Sequence, residues 1–220
     1  MAESSTKPAK RLLEPIERIS EVLFGLIMVL TITCSFGVVE AGHKEVRQML
    51  FAALGCNLAW GIIDAVFYLM SCFSERGQGI LTLRAVRDTT EPGKAHGIIA
   101  DALPPLLASV LSPAEFEIMH QKLRQLPEPP TSPRLVKSDW LAAKGVFLIV
   151  FLSTFPVVIP FIVIHDPRLA LRVSNGVAVV MLFVAGYRLG RVAGYRPWRM
   201  GLVMVAISGA LVGITIALGG

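Results

Sequence analysis

The sequence predicts an all-α, polytopic membrane protein with five transmembrane helices, arranged two plus three around a small cytosolic helical insert. Of its 220 residues, 54% are hydrophobic and 17% are charged, and the mean hydropathy is +0.63. The apolar residues form blocks of about 20, enough to cross a hydrocarbon core about 30 Å thick as helices. No block alternates with period two, and backbone groups in lipid must bond internally, so helices are predicted rather than barrel strands. The lipid bilayer is therefore the first predicted partner.

Each apolar block is interpreted as one membrane span. The spans are 19–39, 49–72, 140–164, 169–192 and 200–218. They divide the chain into a cytosolic N-terminal segment (1–18), a transmembrane hairpin (19–72), a cytosolic helical insert with a Pro-rich linker (73–139) and spans three to five (140–220).

The basic residues predict the orientation. Lys and Arg are concentrated in the N-terminal segment, the insert and the connection between spans four and five. By the positive-inside rule these regions are cytoplasmic, and an odd number of spans then places the C-terminus outside. The N-terminal segment lacks the features of a cleavable signal peptide, and a bacterial inner membrane is the expected location, although a vacuolar membrane protein would have similar topology. The net charge is +5, but the basic residues flank the apolar blocks and form no stripe interleaved with aromatic residues. No nucleic-acid partner is therefore predicted.

The insert is predicted to contain short amphipathic helices. Ser112, Pro113 and Glu115 have the spacing of a capping box with proline at the first helical position. This helix should end near Leu126, because the following PEPPTSPR segment cannot continue it and forms a linker. Before it, residues 106–111 carry an apolar face.

Two acidic residues within the hairpin are candidate ion ligands. A charged group at the centre of a span costs about 2.5–3.5 kcal/mol, so Glu21 and Asp64 each need a reason to be there. Helical spacing places Met28 on the face of Glu21 and Asn57 on the face of Asp64. Carboxylate and amide oxygens with a thioether suit a divalent ion such as Mn²⁺ or Fe²⁺. Carboxyl groups in a low-dielectric path also hold protons more firmly, which would couple proton release to metal binding.

Each candidate also has a structural interpretation. Glu21 is compatible with an interfacial acid at a helix N-terminus. Asp64 is compatible with a structural pair to Lys144 or to a tyrosine hydroxyl. Asn57 is compatible with a hydrogen bond between helices, and Met28 with the apolar core.

Small residues and prolines are expected to shape the path. Gly25 and Gly61 lie on the same helical faces as the two acids. Pro156 and Pro160 each remove a backbone donor from span three and should kink it. The kink would either line an ion path or shape packing.

A second, weaker candidate site lies in the insert. Glu117 and His120 are three residues apart, a spacing compatible with metal ligation and equally with a solvated helix face. The sequence contains no phosphate-binding loop, nucleophile elbow or HExxH motif. The chain is therefore predicted not to be an enzyme and to hold no resident cofactor.

Three segments carry a resemblance to a known family: Ile19–Leu23 (ISEVL), Phe155–Phe161 (FPVVIPF) and Val184–Val205. With the two-plus-three layout, they resemble the vacuolar iron transporter (VIT) family of iron and manganese exporters. The resemblance implies a homodimer that exchanges protons for divalent metal and moves the metal out of the cytosol. It also implies that the first two spans line the path, with Glu21 at the first-span acid position and residues 57–64 in the second-span ligand region.

The leading hypothesis is therefore a proton-coupled Mn²⁺ or Fe²⁺ transporter serving metal homeostasis. The insert lacks the dense glutamates of the family's cytosolic metal-binding domain, which motivates one alternative: a non-transporting membrane scaffold that binds a partner through residues 106–111. The other alternative is a permease for another solute, since a kinked third span would suit it equally.

Overall fold

The computed structural model describes residues 15–35 and 43–217, which form helices and connections without any strand. The helices in these ranges are α1 (Pro15–Ser35), α2 (His43–Asp88), α3 (Pro92–Asp101), α4 (Pro105–Val110), α5 (Pro113–Gln125), α6 (Lys137–Ser153), α7 (Phe155–Val163), α8 (Pro167–Val192) and α9 (Pro197–Ala217). The predicted all-α class is confirmed for this part of the chain.

Proline marks most helix starts. Helices α1, α3, α4, α5, α8 and α9 all begin at a proline. A proline at the first helical position loses nothing, because the N–H group it lacks would have no partner inside the helix. The prolines in the sequence therefore mark the starts of these six helices.

Several helices are apolar and long enough to cross a membrane. Among the described residues these segments are Val46–Asp88, Lys137–Val163, Pro167–Val192 and Pro197–Ile214, and α1 contributes a shorter apolar stretch, Ile19–Thr33. The protein is an integral membrane protein. The count of five spans stays a prediction, and residues 36–39 of the predicted first span lie outside the described residues.

Helix α2 is longer than the predicted second span. It continues through residues 73–88, which the sequence pattern assigned to separate short helices of the insert. The physical reason is that no proline occurs between its start and Pro92, and Gly77 and Gly79 are tolerated inside the helix. The insert therefore begins as an extension of the second span.

The predicted third span is divided into two helices. Helix α6 ends at Ser153, and α7 begins at Phe155 with Pro156 in its first turn and Pro160 inside it. This break agrees with the expectation that the proline pair would kink the span. Ser174 of α8 supports the region, because its hydroxyl donates to the Val157 carbonyl oxygen at 2.6 Å.

The chain divides into two compact units. The membrane unit comprises residues 1–67 and 141–220, and the helical unit comprises residues 68–140. In the membrane unit α1 packs against α8 and α9 around fully buried Leu26, Val29 and Leu182. Helices α8 and α9 approach closely at Gly186, where an added Cβ would lie 2.9 Å from the Met200 carbonyl oxygen.

The helical unit has its own small core. Val86 of α2, Ile99 of α3 and Phe116 of α5 are its buried apolar residues. The predicted capping box of α5 is confirmed: Glu115 N–H donates to the Ser112 hydroxyl, and Ser112 N–H donates to the Glu115 carboxylate. This cap sets the start of α5 within the unit.

Arginines of α2 bind the Pro-rich linker through its carbonyl groups. Arg84 donates to the Pro130 oxygen at 2.8 Å, and Arg87 donates to the Pro127 oxygen at 3.3 Å. Prolines have no N–H to offer, but their carbonyls accept hydrogen bonds normally. The linker is therefore held along α2.

A bidentate ion pair in the helical unit joins Arg76 and Asp139. The guanidinium donates to both carboxylate oxygens, at 2.5 and 2.8 Å, and also to the Arg134 carbonyl oxygen at 2.7 Å. Asp139 is buried and additionally accepts from Val136 N–H. A bidentate pair of this kind is stronger than an ordinary hydrogen bond because both partners are charged.

Candidate ion-binding sites

Asn57 is a candidate residue whose side chain is fixed by hydrogen bonds in the membrane unit. It is fully buried, and its amide nitrogen donates to the Val150 carbonyl oxygen at 2.9 Å and to the Thr154 hydroxyl. Its Oδ1 atom has no hydrogen-bond partner among the described residues. The nitrogen thus has a structural role, and the oxygen is left as an acceptor.

The contact with Asn57 is placed at the break between α6 and α7. In a continuous helix the Thr154 N–H would donate to the Val150 carbonyl, four residues earlier. Here it donates to the Phe151 carbonyl, so the Val150 carbonyl has no donor from the helix backbone. The Asn57 amide and the Ser153 hydroxyl donate to that carbonyl instead. Sequence reasoning missed Ser153 and Thr154, although a Ser–Thr pair just before the Phe–Pro step was a visible signal for a helix break.

The predicted path-shaping glycines lie at close helix contacts. A Cβ on Gly25 would lie 3.1 Å from Asn57 Oδ1 and 3.4 Å from the Ser153 hydroxyl oxygen. A Cβ on Gly61 would lie 3.2 Å from the Phe147 carbonyl oxygen. Both glycines therefore let helices approach, and Gly25 brings α1 next to the Asn57 amide oxygen.

Asp64 is a buried acid in a membrane-spanning helix. Its Oδ2 atom accepts no hydrogen bond from any described residue, including Lys144, whose side chain is exposed. Asn57 and Asp64 are seven residues apart and both buried, so they lie on one face of α2 about 10 Å apart along its axis. A buried acid without a cation or donor is costly unless a proton or an ion neutralises it.

Glu21 and Met28 are partly buried on α1. Glu21 lies one turn before Gly25, about 6 Å along the helix axis. Gly25 lies next to Asn57 of α2, and Phe24 packs edge-on against Trp60 of α2. An earlier residue of α1 therefore contacts a later residue of α2, as in antiparallel helices. Glu21 and Asp64 therefore both lie towards the same end of the helix pair, measured from the contact between Gly25 and Asn57.

The helical unit brings together a different set of groups. Glu117 and His120 of α5 are joined by His96 of α3, which sequence reasoning missed because 21 residues separate it from Glu117. His96 Nε2 lies 3.0 Å from Glu117 Oε2, and His120 Nδ1 lies 3.7 Å from the same oxygen. One potential ligand atom from each residue lies within 4.8 Å of the others.

Local interactions determine the charge of Glu117. Gln121 donates to its Oε1 at 3.0 Å and His96 lies at its Oε2, and these contacts lower the pKa of the carboxyl below its usual value. The carboxylate is therefore ionised at neutral pH. The predicted pair of weak metal candidates is thus a three-residue cluster.

The C-terminal part of the chain matches a known protein family. A family model described as the VIT family matches residues 93–220, more than half of the sequence. The chain belongs to the VIT family. No curated protein matches it significantly. VIT-family members are transporters rather than enzymes.

The matched range divides the two candidate sites of this VIT-family chain. It begins at residue 93 and includes His96, Glu117 and His120. Glu21 and Asp64 lie before the matched range. Their assignment as ion ligands is therefore supported by their chemistry and burial and not by the family match. The predicted resemblance to the VIT family is confirmed, and the ligand assignments stay predictions.

Proposed function

We propose that the protein exports Mn²⁺ or Fe²⁺ from the cytosol in exchange for protons. Family membership supports divalent metal as the transported substrate. The observation that carries the proposal is Asp64, a buried acid on a membrane-spanning helix whose Oδ2 accepts no hydrogen bond from a described residue. Ionisable groups in membrane helices mark ion paths and proton relays because their burial is otherwise unfavourable.

The proposed ion ligands are Glu21, Met28, Asn57 and Asp64. When metal is absent, protons on the carboxyl groups remove the charge that lipid cannot solvate. As the ion moves along the path, each carboxylate releases its proton when it binds the ion, and Asn57 Oδ1 offers a neutral oxygen about 10 Å from Asp64 along the axis of α2. The Met28 thioether would favour Mn²⁺ or Fe²⁺ over harder ions such as Ca²⁺.

The glycines and prolines have a supporting role in this mechanism. Gly25 and Gly61 allow close helix contacts, and the break before Pro156 lets the Val150 carbonyl accept a hydrogen bond from Asn57. Pro160 deprives the Pro156 carbonyl of its helical donor inside α7, which leaves a further polar group there. These groups would give a partly dehydrated ion polar contacts on its way through the membrane.

Metal flux into proteoliposomes tests the proposal. The assay compares Mn²⁺, Fe²⁺, Co²⁺ and Ca²⁺ with and without a proton gradient. We expect flux of Mn²⁺ or Fe²⁺ that depends on the gradient, and a loss of at least tenfold in D64N and E21Q. Glu128→Gln is the matched control, because Glu128 is an exposed acid of the linker.

Wild-type flux in the E21Q/D64N double variant would show that transport needs neither acid, and it would overturn the proposal. Gradient-independent flux would retain transport and reject proton coupling.

The proposed assembly is a homodimer in a bacterial inner membrane, with the N-terminus cytoplasmic and the C-terminus outside. The arginines around the connection between α8 and α9 support the cytoplasmic assignment of that connection. Labelling of cysteines introduced at Glu128 and at Leu169 with a membrane-impermeant reagent checks the orientation. We expect Leu169→Cys to react from outside and Glu128→Cys only after the membrane is opened.

A second candidate function is a membrane scaffold, which the surface of α4 favours. Leu106, Leu107 and Val110 are 77%, 52% and 71% exposed, although α4 is only six residues long. Apolar side chains grouped in this way often bind a partner. Absence of metal flux from folded protein, together with a specific crosslink from a photoreactive group at Leu106, would favour this function over transport.

A further inference from the structure

Two helices of the helical unit direct three metal-ligating side chains at one point. His96 comes from α3, and Glu117 and His120 come from adjacent turns of α5. The capping box at Ser112 sets the start of α5, and Phe116 both enters the core and stacks on the His96 ring. The three groups are thus held by the packing of the unit and not by a mobile loop.

His120 is the second and independent observation. Its side chain is only 6% exposed, and neither ring nitrogen has a hydrogen-bond partner among the described residues. A buried polar group without a partner costs about 1–3 kcal/mol. Imidazole nitrogens are also the commonest metal ligands in proteins. A metal ion bound to Nδ1 would supply the missing partner.

Glu117 is oriented for the same point. Gln121 holds its Oε1, which leaves Oε2 towards both histidines. Outer hydrogen bonds of this kind fix the direction of ligating carboxylates in metal sites.

We propose that His96, Glu117 and His120 bind one divalent ion of the Zn²⁺, Co²⁺ and Fe²⁺ group. Ligands about 2.0–2.1 Å from a tetrahedral ion lie about 3.3 Å apart. The separations from Glu117 Oε2 to the two histidine nitrogens, 3.0 and 3.7 Å, lie on either side of that value, and all three ligand atoms lie within 4.8 Å of one another. Three protein ligands leave a fourth position for water or another ligand.

The ligand set determines the class of ion. Two imidazoles and one carboxylate favour borderline transition metals, whereas Mg²⁺ and Ca²⁺ require mostly oxygen ligands. The site is made only of residues in the helical unit, so the proposal does not depend on transport or on Glu21 and Asp64. Failure of the flux assay would leave it standing.

Co²⁺ binding to the full-length protein, purified without a histidine tag, tests the proposal. Four-coordinate Co²⁺ absorbs visible light far more strongly than aqueous Co²⁺, and Zn²⁺ should displace it and abolish the absorption. We expect one equivalent per chain. H96Q and E117Q should each weaken binding at least tenfold, because removing even an outer-sphere partner of a metal ligand costs about 10–100-fold.

Matched controls separate this site from others. His165→Gln changes an exposed histidine and Glu128→Gln an exposed acid, and both should bind Co²⁺ as the wild type does. An unchanged spectrum and affinity in H96Q and E117Q would overturn the proposal. So would loss of the spectrum in D64N alone, since the ion would then lie in the membrane unit.

Discussion

Asn57 of the membrane unit and His120 of the helical unit are buried polar side chains in opposite situations. In the membrane unit Asn57 directs its amide nitrogen to a carbonyl and a hydroxyl exposed by a broken helix. In the helical unit His120 is buried with neither nitrogen hydrogen-bonded to a described residue. The first arrangement stabilises a helix contact, whereas the second is unfavourable until something else binds. Burial alone therefore does not distinguish a structural polar residue from a ligand.

Asn57→Leu should give the largest loss of stability, because it removes the donor to the Val150 carbonyl and the Thr154 hydroxyl. We expect a loss of about 2–3 kcal/mol in the free energy of unfolding, because two buried hydrogen bonds of about 0.5–1.5 kcal/mol each are removed. Denaturant titration of the full chain in detergent measures it. Cys56→Ala, at an exposed neighbouring position, should change stability little. Equal stability of N57L and the wild type would show that the Asn57 amide is not a structural bridge.

Arg76→Met should have the next largest effect. It leaves buried Asp139 without its bidentate partner while keeping most of the apolar side chain. The expected loss is about 2 kcal/mol, typical of hydrogen bonds to a charged group. The same titration applies, with Arg84→Met as the matched control, because Arg84 donates to a backbone carbonyl and not to a carboxylate among the described residues, and should contribute less than about 1 kcal/mol. A larger effect from the control would contradict the importance of the ion pair.

His120→Phe should have the reverse effect in metal-free protein. The aromatic ring fills a similar volume, and the unpaired nitrogens disappear, so stability should stay equal or rise by about 1 kcal/mol. Zn²⁺ should raise the melting temperature of the wild type and not that of H120F. A strongly destabilised H120F without metal would show that the imidazole makes a structural contribution of its own.

The smallest effect concerns acid. Hydrogen bonds from Ser112 lower the pKa of Glu115, and those from Gln121 and His96 lower the pKa of Glu117. A carboxyl with a lowered pKa stabilises the folded state fully above its unfolded value of 4.5, and this contribution is lost as the pH falls below that value. Melting curves between neutral pH and pH 3 should therefore show a steeper decline for the wild type than for E115Q. Parallel curves would contradict the prediction.

Metal binding should also weaken in mild acid. A histidine binds metal only when neutral, so protons compete with Co²⁺ for the imidazole nitrogens and the Co²⁺ affinity should fall as the pH is lowered. This experiment separates the histidine site from a purely carboxylate one, in which affinity would persist to lower pH.

The sequence by itself determined the class of protein and most helix starts. Long apolar blocks require lipid, prolines mark the first turns, and Ser112 with Glu115 predicts a cap that the structure contains. These features are local, because each depends on a few neighbouring residues and their backbone geometry. The continuation of α2 to Asp88 was not predicted, because the loss of apolar character after Cys72 was taken for a helix end where no proline breaks the helix.

Only the tertiary structure decided which side chains meet. His96 joins Glu117 and His120 because α3 packs against α5 on Phe116, and the Asn57 amide nitrogen bonds at a break in a helix 93 residues further along the chain. Spacing along one helix predicts a shared face, but it carries no information about which other helix covers that face. Contacts of that kind depend on how the cores of the two units are packed.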